Sequence, residues 1–179
     1  RALCRSPSRA PHRCPAGAGH HHSARRPGHG HWTQREAGQH RSSHARQTPP
    51  ANTCDAGEAL GSAEVAQNNL RLTARQLPAN SFGFFLVSQS QGFVTNPGGS
   101  QGNLCLGGAI GRYVGTGQIL NSGASGEIML PADLTMIPSP TGFIAAAPGD
   151  VFNFATWFRD SSMGSATSNF SQGVEVTFQ

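Results

Sequence analysis

The chain has 179 residues, enough for one ordinary domain, and a formal net charge of +4 with no lysine. That charge is unevenly placed: residues 1–50 carry nine arginines against one acid, Glu36, whereas residues 51–179 carry four arginines and eight acids. No run of about 18 apolar residues occurs, which excludes a membrane-spanning helix.

Residues 1–50 hold all eight histidines, and Leu3 and Trp32 are their only large apolar side chains. Such a segment cannot bury enough apolar surface to offset the entropy of ordering it, so disorder is expected over residues 1–55. Three readings of it compete. A basic tail would neutralise nucleic-acid phosphates. The stretch "GHHHSARRPGHGHW" would hold a metal through neutral imidazoles. The third reading is GC-rich sequence translated out of frame, in keeping with the dominance of Arg, Ala, Pro, Gly, His and Ser and the lack of lysine. A zinc site wants spaced Cys and His pairs inside a fold, which Cys4 and Cys14 do not supply. No metal, no cofactor and no specific nucleic-acid partner is therefore expected. The segment has no apolar core of a signal peptide, and the chain begins with Arg1, which reads as a fragment of a longer product.

From about Leu60 the pattern changes. "NLRLTARQ" alternates Leu70, Leu72 and Ala74 with polar residues, a strand signal, and Pro78 and Asn80 make a turn. "FGFFLVSQ" is an apolar run of buried-strand type, and "TNPGGSQG" is turn chemistry. Short strands are expected near Leu104–Leu106, Ile110–Val114 and Gln118–Leu120. "GEIMLPADL" follows, with Pro131 marking an edge strand or bulge. "IPSPTG" reads as a turn, "FIAAA" as a strand and "PGD" as a turn. In "VFNFATWFRD", Phe152, Phe154, Thr156 and Phe158 share one face, and Val151, Asn153, Ala155 and Trp157 share the other. "GVEVTFQ" turns Val174, Val176 and Phe178 inward. No 12-residue window keeps a helical apolar period. Short strands with Gly and Pro between them predict an all-β fold, an antiparallel β-sandwich of Ig-like or jelly-roll-like type, over residues 60–179.

Six stretches in unbroken order carry a resemblance: "GSAEVAQNNLRLTARQLP", "FGFFLVSQSQG", "GGSQGNLCLGGAIGRY", "GQILNSGASGE", "VFNFATWFRD" and "SNFSQGVEVTFQ". Residues 60–179 resemble an uncharacterised C-terminal module of large secreted bacterial proteins. The resemblance implies secretion, an all-β fold and a place at the end of a longer chain; it implies no catalytic or ligand residues. "ANTCDAGEAL" stands where such modules carry a cysteine-bearing Asn/Ser/Thr/Gly-rich segment, a departure that points to a frame change near residues 50–60.

Gly98 to Gly102 match Gly-x-Ser-x-Gly, the elbow of serine hydrolases. Ser100 would need a strand–turn–helix context and a general base, and no histidine follows His44. A glycine-rich turn is the better reading. Gly107, Gly108 and Gly111 lack the order of a dinucleotide-binding loop. Asp133, Asp150 and Asp160 are too isolated for a calcium site, and Asp150 is explained as a turn residue. Asn169-Phe170-Ser171 fits the glycosylation pattern, read here as coincidence. Arg159 and Asp160 at a strand end suit an ion pair or a polar ligand. Trp157 and Tyr113, with Arg159, make the candidate ligand surface, since aromatic faces suit sugar rings. Cys105 lies between Leu104 and Leu106 and is expected either as half of a Cys54–Cys105 disulfide or as a buried unpaired thiol. Together these features predict a non-enzymatic extracellular module for structure, surface attachment or adhesion, with a cell surface or polysaccharide as partner. A carbohydrate-binding module on the same fold is the alternative, and a serine hydrolase using Ser100 the third class.

Overall fold

A computed structural model describes residues 57–179. The Arg/His-rich segment lies outside them, and with it the expectations about disorder, reading frame and metal, and residue Cys54. The described residues form strands β1 (Gly57–Leu60), β2 (Arg71–Ala74), β3 (Phe82–Ser88), β4 (Ser90–Thr95), β5 (Asn103–Gly107), β6 (Gly111–Arg112), β7 (Leu120–Asn121), β8 (Ile128–Pro131), β9 (Ile137–Ser139), β10 (Gly142–Ile144), β11 (Val151–Ser162), β12 (Ser165–Phe170) and β13 (Val174–Thr177). Only two single-turn 3-10 segments, Val65–Gln67 and Pro97–Gly99, interrupt them.

The fold is an antiparallel β-sandwich. The central sheet has the order β12-β11-β3-β6, and a three-stranded sheet, β1-β2-β8, forms its front layer. The long strand β11 organises the centre. One of its edges pairs β13 along Val151–Phe154 and β12 along Trp157–Ser162, and its other edge pairs β3. The far edge of β3 is shared by β6, opposite Leu86 and Val87, and β7, opposite Phe82 and Gly83. Pro131 sits at the end of β8, an edge strand, where a missing N–H costs no sheet hydrogen bond.

The alternation expected of β11 is what the core uses. Phe152, Phe154 and Phe158 face forward and pack with Phe85 and Val87 of β3, Leu72 and Ala74 of β2, Ile128 and Leu130 of β8, and Phe178. Phe152 meets Phe178 edge-on, with ring centroids 5.8 Å apart. On the reverse face, Leu86 and Ala155 pack against Leu104 and Leu106 of the β4–β5 hairpin. The continuous apolar run of β3 follows from this: both of its faces are covered, one by the front layer and one by the hairpin. Ser88 Oγ fastens the hairpin by donating to the Gly107 carbonyl at 2.6 Å.

One local expectation is corrected. "IPS" of the presumed turn is strand β9, which forms a hairpin with β10. It crosses so close in front of β6 that a Cβ on Gly111 would run into the Pro138 carbonyl oxygen. Strands β4 and β12, built from Ser-, Thr- and Gly-rich sequence, carry no apolar alternation strong enough to announce them.

Candidate functional site

The β11–β12 hairpin extends past the sandwich core and turns at Met163 and Gly164, both at positive φ. Its register sets Trp157 opposite Phe170, Arg159 opposite Ser168, and Ser161 opposite Ala166. By strand alternation these residues share the reverse face of the central sheet. Ser81 Oγ donates to the Arg159 carbonyl, which holds this part of β11 to the segment before β3.

The loop between β4 and β5 comes up beside this surface. Asn96, Gly98 and Gly99 all take positive φ, so the chain reverses sharply. Gln101 then donates its backbone N–H to the Ser168 carbonyl at 2.8 Å. Gly102 lies so close to Asn169 that a side chain there would collide with its amide oxygen. The loop and hairpin enclose an open depression of about 400 Å³, lined by Gly98, Gly99, Trp157, Arg159, Asp160, Ala166, Thr167 and Ser168.

Trp157 is half-buried and rigidly held: its ring stacks on Phe84 at 5.0 Å and 29°. Arg159 is exposed and forms no ion pair among the described residues. Arg71 and Arg112 share that state, and of the four arginines of the described residues only Arg75 is ion-paired, with Glu58 at 3.5 Å and Glu127 at 3.3 Å. Asp160 does not compensate Arg159. One of its carboxylate oxygens accepts from the Ser161 N–H at 2.7 Å, and the other from Asn169 Nδ2 at 3.2 Å. The depression thus presents an aromatic ring, an unpaired guanidinium and hydroxyl groups on a stiff sheet.

The structure separates the other expected site residues from this surface. Tyr113 is 2% exposed and belongs to the front core, on the opposite side of the central sheet from Trp157. The expected shared surface of Trp157 and Tyr113 is therefore not formed; the strand from Gly111 carries Tyr113 inward, where Tyr113 N–H bonds the Phe85 carbonyl at 2.9 Å. Burial and the Asp133 carboxylate raise its phenol pKa well above the ordinary value. Ser100 is 2% exposed; its hydroxyl donates to the Gly102 carbonyl at 3.1 Å, and no strand-to-helix elbow surrounds it. It shapes the loop that walls the depression.

Asp133 and Asp150, outside the depression, cap turns. Asp133 Oδ1 accepts from the Thr135 hydroxyl, the Thr135 N–H and Asn68 Nδ2, and these bonds lower its pKa. Asp150 accepts from the Ala147 N–H at 2.8 Å, as its turn reading required. No group of three His, Cys, Asp or Glu converges on a metal position among the described residues. Cys105 is 2% exposed and disulfide-bonded, which corrects the unpaired-thiol alternative. It is the sole cysteine of residues 57–179, so its partner lies outside the described residues, as does Cys54.

Sequence reasoning found Trp157 and Arg159 but missed Gly98, Gly99, Ala166, Thr167 and Ser168 as their neighbours. The signal was partly present. An exposed aromatic–arginine pair two residues apart on β11 needed a partner strand, and "SATSNF" was the nearest segment that could supply it. No protein-family model matches the chain, and neither a curated protein nor a solved structure does.

Proposed function

We propose that residues 57–179 form a non-enzymatic attachment module of a larger secreted protein, holding a cell-surface or extracellular target in the depression beside Trp157. The observation that carries this reading is the uncompensated Arg159 next to a half-exposed Trp157, both fixed on the rigid β11–β12 hairpin. The resemblance of residues 60–179 to C-terminal modules of secreted bacterial proteins supports the extracellular setting. Carbohydrate is the target class that Trp157 favours, because an indole offers apolar contact to a sugar ring in a cleft whose rim carries hydroxyls. Tyr113 takes no part in it.

The test is sedimentation of the full chain with insoluble cell-wall polysaccharides. Co-sedimentation that falls at least tenfold in affinity on Trp157→Ala, with the fold retained by circular dichroism, is expected. Equal binding by the variant would remove the depression from the reading. Ester hydrolysis abolished by Ser100→Ala would overturn the non-enzymatic assignment.

A further inference from the structure

The geometry points to a selection within that carbohydrate reading: we propose that the depression takes saccharides bearing an anionic substituent, a uronate carboxylate or a sulfate, with Arg159 as the residue that selects them. The inference rests on the attachment role of this depression and adds the chemistry of its ligand.

Arg159 stands directly opposite Ser168 in the β11–β12 register. In an antiparallel pair this places their Cβ atoms about 5 Å apart on one face. The Ser168 carbonyl is taken by Gln101, but its hydroxyl has no partner among the described residues. The Arg159 side chain and a hydroxyl without a partner among the described residues thus start from neighbouring positions on one face of adjacent strands. The guanidinium fork offers two parallel N–H donors that match the oxygens of a carboxylate or a sulfate, and the hydroxyl supplies a third donor. Trp157 precedes Arg159 by two residues, so the indole lies about 7 Å along the same face. A sugar ring against the indole would then bring a ring substituent within reach of the guanidinium.

Asp160 also lines the depression and keeps its negative charge, but strand alternation turns its side chain to the face of β11 opposite that of Arg159, where it accepts from the Ser161 N–H and Asn169 Nδ2. Ordinary net charge does not explain the arrangement, because residues 51–179 carry more acids than arginines. Arg71 and Arg112 are exposed without an ion partner too, and what sets Arg159 apart is its place in the depression beside Trp157 and opposite Ser168.

The experiment is titration of the full chain with three oligosaccharides of equal length: a galacturonate, a sulfated galactan and a neutral cello-oligosaccharide. Indole N–H resonances report the site, and Trp157→Phe assigns the signal against that of Trp32. This local readout is needed because the arginines of residues 1–50 attract any polyanion. At least one anionic sugar is expected to bind about tenfold or more tightly than the neutral one. Arg159→Ala, at an exposed position that the fold tolerates, should erase that margin, and Arg159→Lys should retain part of it. Comparison of the uronate with the sulfate tells which anion the fork fits. Equal affinity for the neutral sugar would overturn the selection and leave the attachment role standing. Anionic binding unchanged in Arg159→Ala, or equal competition by an oligoglutamate, would also overturn it. Failure of all three sugars to shift the Trp157 signal would remove the carbohydrate reading itself.

Discussion

The two faces of the central sheet are built differently. In front, seventeen buried side chains join β2, β3, β8, β11 and their neighbours into one core. Behind, the buried apolar cluster is Leu86, Leu104, Leu106 and Ala155, with Phe84, Ile110, Trp157 and Phe170 partly covered. The same strands serve both, because alternation sends Phe152, Phe154 and Phe158 forward and Ala155 and Trp157 back. Stability is thereby concentrated on one side, and the other is left with a small hairpin, a partly exposed indole and an open depression. Trp157 and Arg159, the residues of the proposed binding surface, lie on this sparsely packed side.

The largest effect should come from the front. Phe154→Ala removes a ring that is 2% exposed among well-packed neighbours and is expected to destabilise the domain by about 3–5 kcal/mol. Leu106→Ala, in the smaller rear cluster, should cost about 2–3 kcal/mol. Its effect should be concentrated in β4 and β5, seen as faster amide exchange there than in β2 and β8. Denaturant titration and hydrogen exchange check both. Equal costs with uniform loss of protection would show that the two faces form one cooperative unit.

A second effect concerns how the rear hairpin is held. Cys105 is disulfide-bonded within β5, next to the two leucines of the rear cluster. Cys54, three residues before β1, is the expected partner, and peptide mapping without reduction should recover that link. A loop of about 50 residues gives a stabilisation of about 3–4 kcal/mol on the chain-entropy model. Reduction should lower the unfolding midpoint accordingly. Recovery of Cys105 joined to Cys4 or Cys14 would refute the pairing, and an unchanged midpoint would refute the stabilising role.

The legibility of this fold in the sequence divides along the same line. Strands of the front core were readable, because burying one face against a large core forces a period of two: Leu70, Leu72 and Ala74 in β2, and Phe152, Phe154 and Phe158 in β11. The rear was harder. Strand β12 reads Ser-Ala-Thr-Ser-Asn-Phe, and its order comes from backbone pairing to β11 and to Gln101, not from apolar side chains. The depression depends on β12, so its walls were hidden even though Trp157 and Arg159 were visible. Tyr113 misled for the opposite reason: aromatic identity alone does not tell a core ring from a surface one, and Gly111 against Pro138 fixes the direction from which its strand enters. Ser100 was readable as part of a glycine-rich turn, and Gly-x-Ser-x-Gly here meets the needs of a turn with positive φ at Gly98 and Gly99.

The smallest effect expected at neutral pH lies at that same tyrosine and separates the two faces by titration. The chain has one tyrosine, so phenolate absorbance reports on Tyr113 alone. Its hydroxyl is buried without a hydrogen-bond partner among the described residues, and burial together with Asp133 raises its pKa above the ordinary value of about 10. Below pH 10 both folded and unfolded chains keep the proton, and stability does not depend on this group. Above it the unfolded chain loses the proton while the folded chain retains it, so stability falls as pH rises. Tyr113→Phe should therefore flatten the alkaline decline while changing stability at pH 7 by no more than about 1 kcal/mol, because no hydrogen bond is lost. Phenolate absorbance in the wild type should appear with unfolding and not before it. Reversible titration near pH 10 in the folded protein would place Tyr113 in contact with water and return it to the surface shared with Trp157.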